Sequence, residues 1–254
     1  MTIITDPLFY LFAIPAVVIL GISKGGFSGI GMIATPLLAL IMPPLQAAAI
    51  LLPIILLQDV LSCWIYRRDW DFWNLKVMLP GAVVGVGAAW LLAAYVSDAV
   101  IILVVGLIAL GFAINAWWFR HIKPEDLPKP RPALGTACGG LAAFTSTLIQ
   151  IGAPPYYVFV LPQRLPKMLY VGTTVWFFAL INIMKIVPYA TLGQFSTAGL
   201  ATSAVLFPLA IAANFLGVWL VRVTPDVMFY RITNVLVFVL GVELTRQGAM
   251  ALMR

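Results

Sequence analysis

Long apolar runs follow one another along almost the whole chain, and few charges interrupt them. Most runs are about 18–25 residues long, which at about 1.5 Å per residue crosses a hydrocarbon layer of about 30 Å. Of the 254 residues, 63% are hydrophobic and 9% charged, against about 25% charged in an ordinary soluble domain. So few charges cannot cover a water-facing surface. A soluble enzyme, a nucleic-acid binder and a disordered chain are excluded, and an all-α polytopic membrane protein is expected. An outer-membrane barrel would show alternating segments of about ten residues, whereas these runs are continuous. The net charge of +6 is no nucleic-acid signal, because the basic residues sit singly in loops. No basic region precedes residues 1–22 and no small-residue cleavage site ends them, so a removable signal peptide is not expected. Cys63 and Cys138 lie within or beside apolar runs and read as small hydrophobes.

Breaks by charge, Pro or Gly give about ten membrane elements, eight to ten of them helices. They span roughly 8–24, 27–42, 46–66, 74–95, 98–119, 133–150, 154–162, 167–187, 197–221 and 226–250. The runs 27–42 and 154–162 are short. One begins at a break reading Lys24-Gly25-Gly26 and the other at a break reading Ile151-Gly152-Ala153-Pro154-Pro155. Short interrupted segments of this kind are expected to be half-helices or re-entrant hairpins. The polar stretch Arg120–Arg131, which holds His121, reads as a solvated linker. It divides the chain into an N-terminal membrane repeat (1–119), a cytoplasmic linker (120–132) and a C-terminal membrane repeat (133–254).

Eleven of the 15 basic residues fall in loops, or at the element ends beside them, on one side of this plan, including Arg67, Arg68, Lys76, Lys123, Arg164 and Arg222. The opposite loops, 43–45, 96–97 and 188–196, hold no Lys or Arg. The positive-inside rule then puts the basic side in the cytoplasm of a cell inner membrane, with both termini outside. Five elements per half make the halves enter from opposite sides, so they are expected to be inverted repeats. Pro36 and Pro43 share the spacing of Pro155 and Pro162. Trp64, Trp70, Trp73, Trp117 and Trp118 fall at expected cytoplasmic ends, where an aromatic belt belongs.

The stretch Gly25-Gly26-Phe27-Ser28-Gly29-Ile30-Gly31 through Pro36-Leu37-Leu38 resembles the Gly-rich opening of the sulfite/organosulfonate exporters, the TauE/SafE family. Gly139-Gly140 through Pro155 is its second-half equivalent. Val171-Gly172-Thr173-Thr174 is similar to the family's VGTS-type segment, and Leu79-Pro80-Gly81-Ala82 to its LPGA-type turn. The second half departs from the family pattern at Thr145-Ser146-Thr147 and Gln150, and the first at Ala47-Ala48-Ala49. The resemblance implies a secondary transporter of small sulfur-containing anions working by alternating access. An anion channel and a non-transport scaffold or assembly protein stand as alternatives.

No enzyme constellation or metal motif is visible, and no cofactor is implied. Anion handling has better support. A midplane anion needs donors without a fully exposed charge, as helix N-termini, glycine backbone and Ser/Thr hydroxyls supply. One candidate group is Lys24, Gly25, Gly26 and Ser28. The other is Thr145, Ser146, Gln150 and Gly152, and an inverted repeat is expected to bring the two breaks together. A lysine inside the membrane costs about 2.5–3.5 kcal/mol. Lys24 either neutralises a substrate oxygen or ends the first helix at the cytoplasmic interface. Asp59, mid-run, either carries a coupling proton or pairs with Lys24 or another donor. Thr173 and Asn182 complete the candidate site. Lys185, on the face of Asn182, is expected to reach toward the outer interface, and Asn214 to bond between helices or line the site. The expected partners are a small anionic substrate, membrane lipid, protons and a second copy of the chain in a homodimer. Nucleic acid is not among them.

Overall fold

The structure, a computed structural model, describes residues 4–42, 44–93, 95, 97–118, 130–191, 193 and 195–253. Among these, every regular element is helical and no strand occurs. The helices are α1 (Pro7–Lys24), α2 (Ala34–Leu38), α3 (Pro44–Ile65), α4 (Phe72–Leu92), α5 (Asp98–Trp118), α6 (Pro132–Ile149), α7 (Ala153–Val160), α8 (Lys167–Thr191), α9 (Thr197–Val223) and α10 (Asp226–Leu252). Among the described residues, seven are long and apolar enough to cross a membrane: α1, α3, α4, α6, α8, α9 and α10. The stretch Ala99–Ile114 of α5 is a shorter apolar helix. His121 and most of the expected linker lie outside the described residues, as do the side chains of Trp117 and Trp118.

Local chemistry sets the helix starts. Asp6 accepts from the Leu8 N–H at 2.9 Å, Asp71 from the Asn74 N–H at 2.7 Å, and Ser196 from the Gly199 N–H at 3.0 Å. Each satisfies an amide that a first helical turn leaves over. Pro7 and Pro132 open α1 and α6, where a missing N–H costs nothing. Large apolar side chains point outward along these helices, such as Leu91 at 75% and Val227 at 76% exposure. Lipid, not water, is the solvent for such faces.

The two short runs fold into short helical pieces. Residues 27–42 hold a 3-10 turn, Ile30–Ile33, and the five-residue α2. Residues 154–162 hold the eight-residue α7 and part of a second 3-10 turn, Leu161–Gln163.

The chain forms two compact units, and each draws on both sides of the central linker. The first comprises Met1–Trp70 and Val171–Pro225, and the second Asp71–Tyr170 and Asp226–Arg254. In the first, α1 and α3 pack on α9 around a core that includes Phe9, Val17, Leu51, Ile54 and Leu206. In the second, α4 packs on α6 and α5 on α10. Small residues let backbones meet there: a Cβ on Gly81 would lie 1.9 Å from the Thr136 carbonyl oxygen. An amide pair, Asn74 with Gln163 at 2.8 and 3.0 Å, ties the start of α4 to the turn after α7.

Candidate functional site

The first unit holds a buried polar chain in a mostly apolar interior. It begins where α1 ends. Lys24 is the last residue of α1, and Gly25 caps it. The carbonyls that a helix end leaves over are taken by α3: the Ser62 hydroxyl donates to Lys24 O at 2.8 Å, and the Tyr66 hydroxyl to Gly25 O at 2.7 Å. Gly25 lies against α9, so a Cβ there would meet Val218 N at 2.5 Å. Gly26 has φ of 138°, a backbone region that only glycine adopts freely. The segment therefore requires both glycines, one for contact and one for conformation.

Lys24 Nζ meets Asp59 Oδ1 at 2.7 Å, with side-chain exposures of 16% and 4%. The other carboxylate oxygen, Oδ2, accepts from Asn182 Nδ2 at 2.6 Å. Asn182 Oδ1 in turn accepts from Lys185 Nζ at 3.0 Å. Four side chains from α1, α3 and α8 thus run in sequence: Lys24, Asp59, Asn182, Lys185. A parallel strip joins α3 to α9. Ser62 accepts from Asn214 Nδ2 at 2.8 Å, and Gln58 Nε2 donates to Ala210 O at 3.2 Å. Gln58 Oε1 and Asn214 Oδ1, both fully buried, have no hydrogen-bond partner. Unsatisfied buried acceptors are rare and mark places where a polar group is held for use or under strain.

Of the readings the sequence leaves open, Asp59 pairs with Lys24, and Asn214 of α9 bonds to Ser62 of α3. Others are corrected. Lys185 does not reach the outer interface; it is fully buried and held by Asn182. The break at Lys24–Ser28 is not a helix N-terminus with open donors. It is the C-terminal end of α1, and the N–H groups of Gly25, Gly26 and Phe27 bond to Gly21, Ser23 and Ile22 carbonyls. The negative end of the helix dipole favours the Lys24 cation there.

Thr145, Ser146, Gln150 and Gly152 belong to the second unit. Gln150 turns the chain in a left-handed conformation after α6, and its N–H donates to Ser146 O at 3.1 Å. The Thr145 and Thr147 hydroxyls donate back to carbonyls of α6, at 2.9 and 2.7 Å, a local bond common for Ser and Thr in helices. Gly152 precedes α7, whose first turn contains Pro154 and Pro155 and so lacks two N–H donors. Thr173 is fully buried in α8, within the first unit. The roles of Gln58, Ser62 and Tyr66 were not read from the sequence. Their one signal is position: Gln58, Ser62 and Tyr66 recur every fourth residue beside Asp59, the spacing of one helix face.

The family model described as Sulfite exporter TauE/SafE matches residues 13–244. The chain belongs to this family. It is thus a member of a family of membrane transporters, in keeping with its membrane-length apolar helices. No curated protein and no solved structure matches it. The family match covers both units, including Lys24, Asp59, Asn182 and Lys185.

Proposed function

We propose that this TauE/SafE member is a secondary transporter that carries small sulfur-containing anions, sulfite or sulfonates, across the inner membrane by alternating access. The observation that carries the reading is the Lys24–Asp59 pair. A lysine held at a capped helix end, partly exposed and matched by one carboxylate, is a cation that an incoming anion can claim. The anion takes the place of Asp59 on Lys24. Asp59, released, is the group that accepts a coupling proton, which keeps the buried charge balanced. Gly25 lets the end of α1 lie against α9, Gly26 turns the chain after Lys24, Ser28 and Thr173 supply polar lining, and Asn182 holds the Asp59 carboxylate. The break with Thr145, Ser146, Gln150 and Gly152 is its counterpart in the second repeat.

The helix pairing supports an inverted repeat. The first helix of each half packs on the fourth of the other, α1 on α9 and α6 on α4, and the fifth helices, α5 and α10, pack together. Asp59 and Asn182 are the sixteenth residues of α3 and α8, the third elements of their halves. Equivalent positions therefore touch in the polar chain, as residues beside a twofold axis do. Cytoplasmic loops after α3, α5, α7 and α9 follow from the basic residues there.

The test is flux in proteoliposomes with sulfite, sulfoacetate, taurine and thiosulfate. Saturable uptake that depends on Lys24 is expected. Uncoupled, non-saturating flux indicates a channel, and no flux of any anion indicates a scaffold.

A further inference from the structure

We infer that Lys185 and Asn182 act as a positioning couple: they hold the Asp59 carboxylate in place so that Lys24 can exchange it for an anion. The inference rests on the reading of Lys24–Asp59 as the exchangeable pair.

The geometry is directional. Asp59 is 3% exposed, and its two oxygens face different partners, Lys24 on Oδ1 and Asn182 on Oδ2. A carboxylate only accepts hydrogen bonds, so Asn182 must turn its NH₂ end toward it. That leaves the amide oxygen facing the other way, where Lys185 Nζ donates to it. With its NH₂ end on Asp59 and its oxygen on Lys185 Nζ, the amide is engaged at both ends. Asn182 is therefore fixed from both sides. Asn182 and Lys185 lie one helical turn apart on α8, so the helix itself sets their spacing.

The energetic consequence concerns exchange. When an anion takes Lys24, Asp59 loses its cation before a coupling proton reaches it. A buried carboxylate without any donor is strongly disfavoured. The Asn182 hydrogen bond is what remains to it, and Lys185 keeps that bond aimed. Without the couple, Asp59 depends wholly on Lys24 and holds it against the substrate. Loss of the couple therefore weakens anion binding and leaves the later steps little changed. Hydrogen bonds to charged groups are strong enough for a change of about ten- to a hundredfold in KM.

The test compares Lys185→Met and Asn182→Leu in the wild-type and Asp59→Asn backgrounds, in full-length protein reconstituted in liposomes, with thiosulfate and sulfite as probes. Both variants are expected to raise KM about ten- to a hundredfold with the maximal rate nearly unchanged. In the Asp59→Asn background, neither is expected to change KM. An equal KM change in that background would show that Lys185 acts on the substrate or the fold directly, and would overturn the inference. A second readout needs no transport. The infrared carboxylate stretch that disappears in Asp59→Asn is expected to shift in Asn182→Leu and to shift the same way in Lys185→Met. An unmoved band in Lys185→Met overturns the positioning role. If wild-type protein moves no anion, the transporter reading fails, and the infrared result alone decides whether Lys185 positions Asp59.

Discussion

The Lys24–Asp59 pair makes a stability prediction that separates structure from transport. Lys24→Gln leaves Asp59 buried with a single donor, Asn182 at 2.6 Å. Removing one partner of a buried ion pair costs about 3–5 kcal/mol. Lys24 keeps 16% of its side chain exposed, so the lower end, about 3 kcal/mol, applies. For a chain of this size, about 2–4 °C per kcal/mol gives a fall in melting temperature of about 6–12 °C. Asp59→Asn is expected to cost less, because the long lysine can swing its ammonium toward water while the buried carboxylate cannot. The double variant Lys24→Gln/Asp59→Asn carries no charge, and its two amides can bond each other. It is expected to melt within about 4 °C of wild type, above Lys24→Gln. Thermal unfolding in detergent, followed by tryptophan fluorescence, measures all four proteins. A double variant whose loss equals the sum of the single losses would refute the reasoning, since the residues would then act independently.

Four further outcomes are expected. Tyr66→Phe removes the hydroxyl that caps Gly25 O at 2.7 Å and is expected to lower stability by about 1 kcal/mol, read in the same melt. Gly26→Ala places a Cβ 2.7 Å from Val221 Cγ2 at φ of 138° and is expected to cost about 1–3 kcal/mol of backbone strain, seen as lower folded yield on size exclusion. Gly81→Ala drives a Cβ to 1.9 Å from the Thr136 carbonyl oxygen, which α4 and α6 can relieve only by moving apart; loss of monodisperse protein is expected. Asp59→Asn is expected to make anion flux indifferent to an imposed pH gradient, and gradient-driven uptake equal to wild type would reject Asp59 as the coupling group.

The helical plan is legible in the sequence because long apolar runs and Pro/Gly breaks leave few other folds in lipid. The breaks at Lys24–Ser28 and Gln150–Gly152 come from the same signals. Two things were not legible. The polarity of the first break stays open in the sequence, because glycine marks a helix interruption without saying which helix owns its donors. Here a 3-10 turn after Gly29 delays the next helix, and the N–H groups fold back onto α1. The place of Lys185 was misread for a different reason. Snorkelling is the usual fate of a lysine near a helix end, and only the fold brings Asp59, 123 residues away in sequence, against Asn182. Asp59 itself had several readings open, since a lone acid in an apolar run names no partner. The Ser62 and Tyr66 caps fall in the same class: a hydroxyl every fourth residue is common, and its use depends on which helix end comes to rest beside it.

The central claim is that Lys24 is the cation an anion takes from Asp59. The most direct measurement is uptake of labelled sulfite or thiosulfate into proteoliposomes by wild type, Lys24→Gln and the double variant Lys24→Gln/Asp59→Asn. Saturable uptake by wild type is expected, with no uptake by either variant, even though the double variant regains most of its stability. Saturable uptake by the well-folded double variant at the wild-type rate would contradict it.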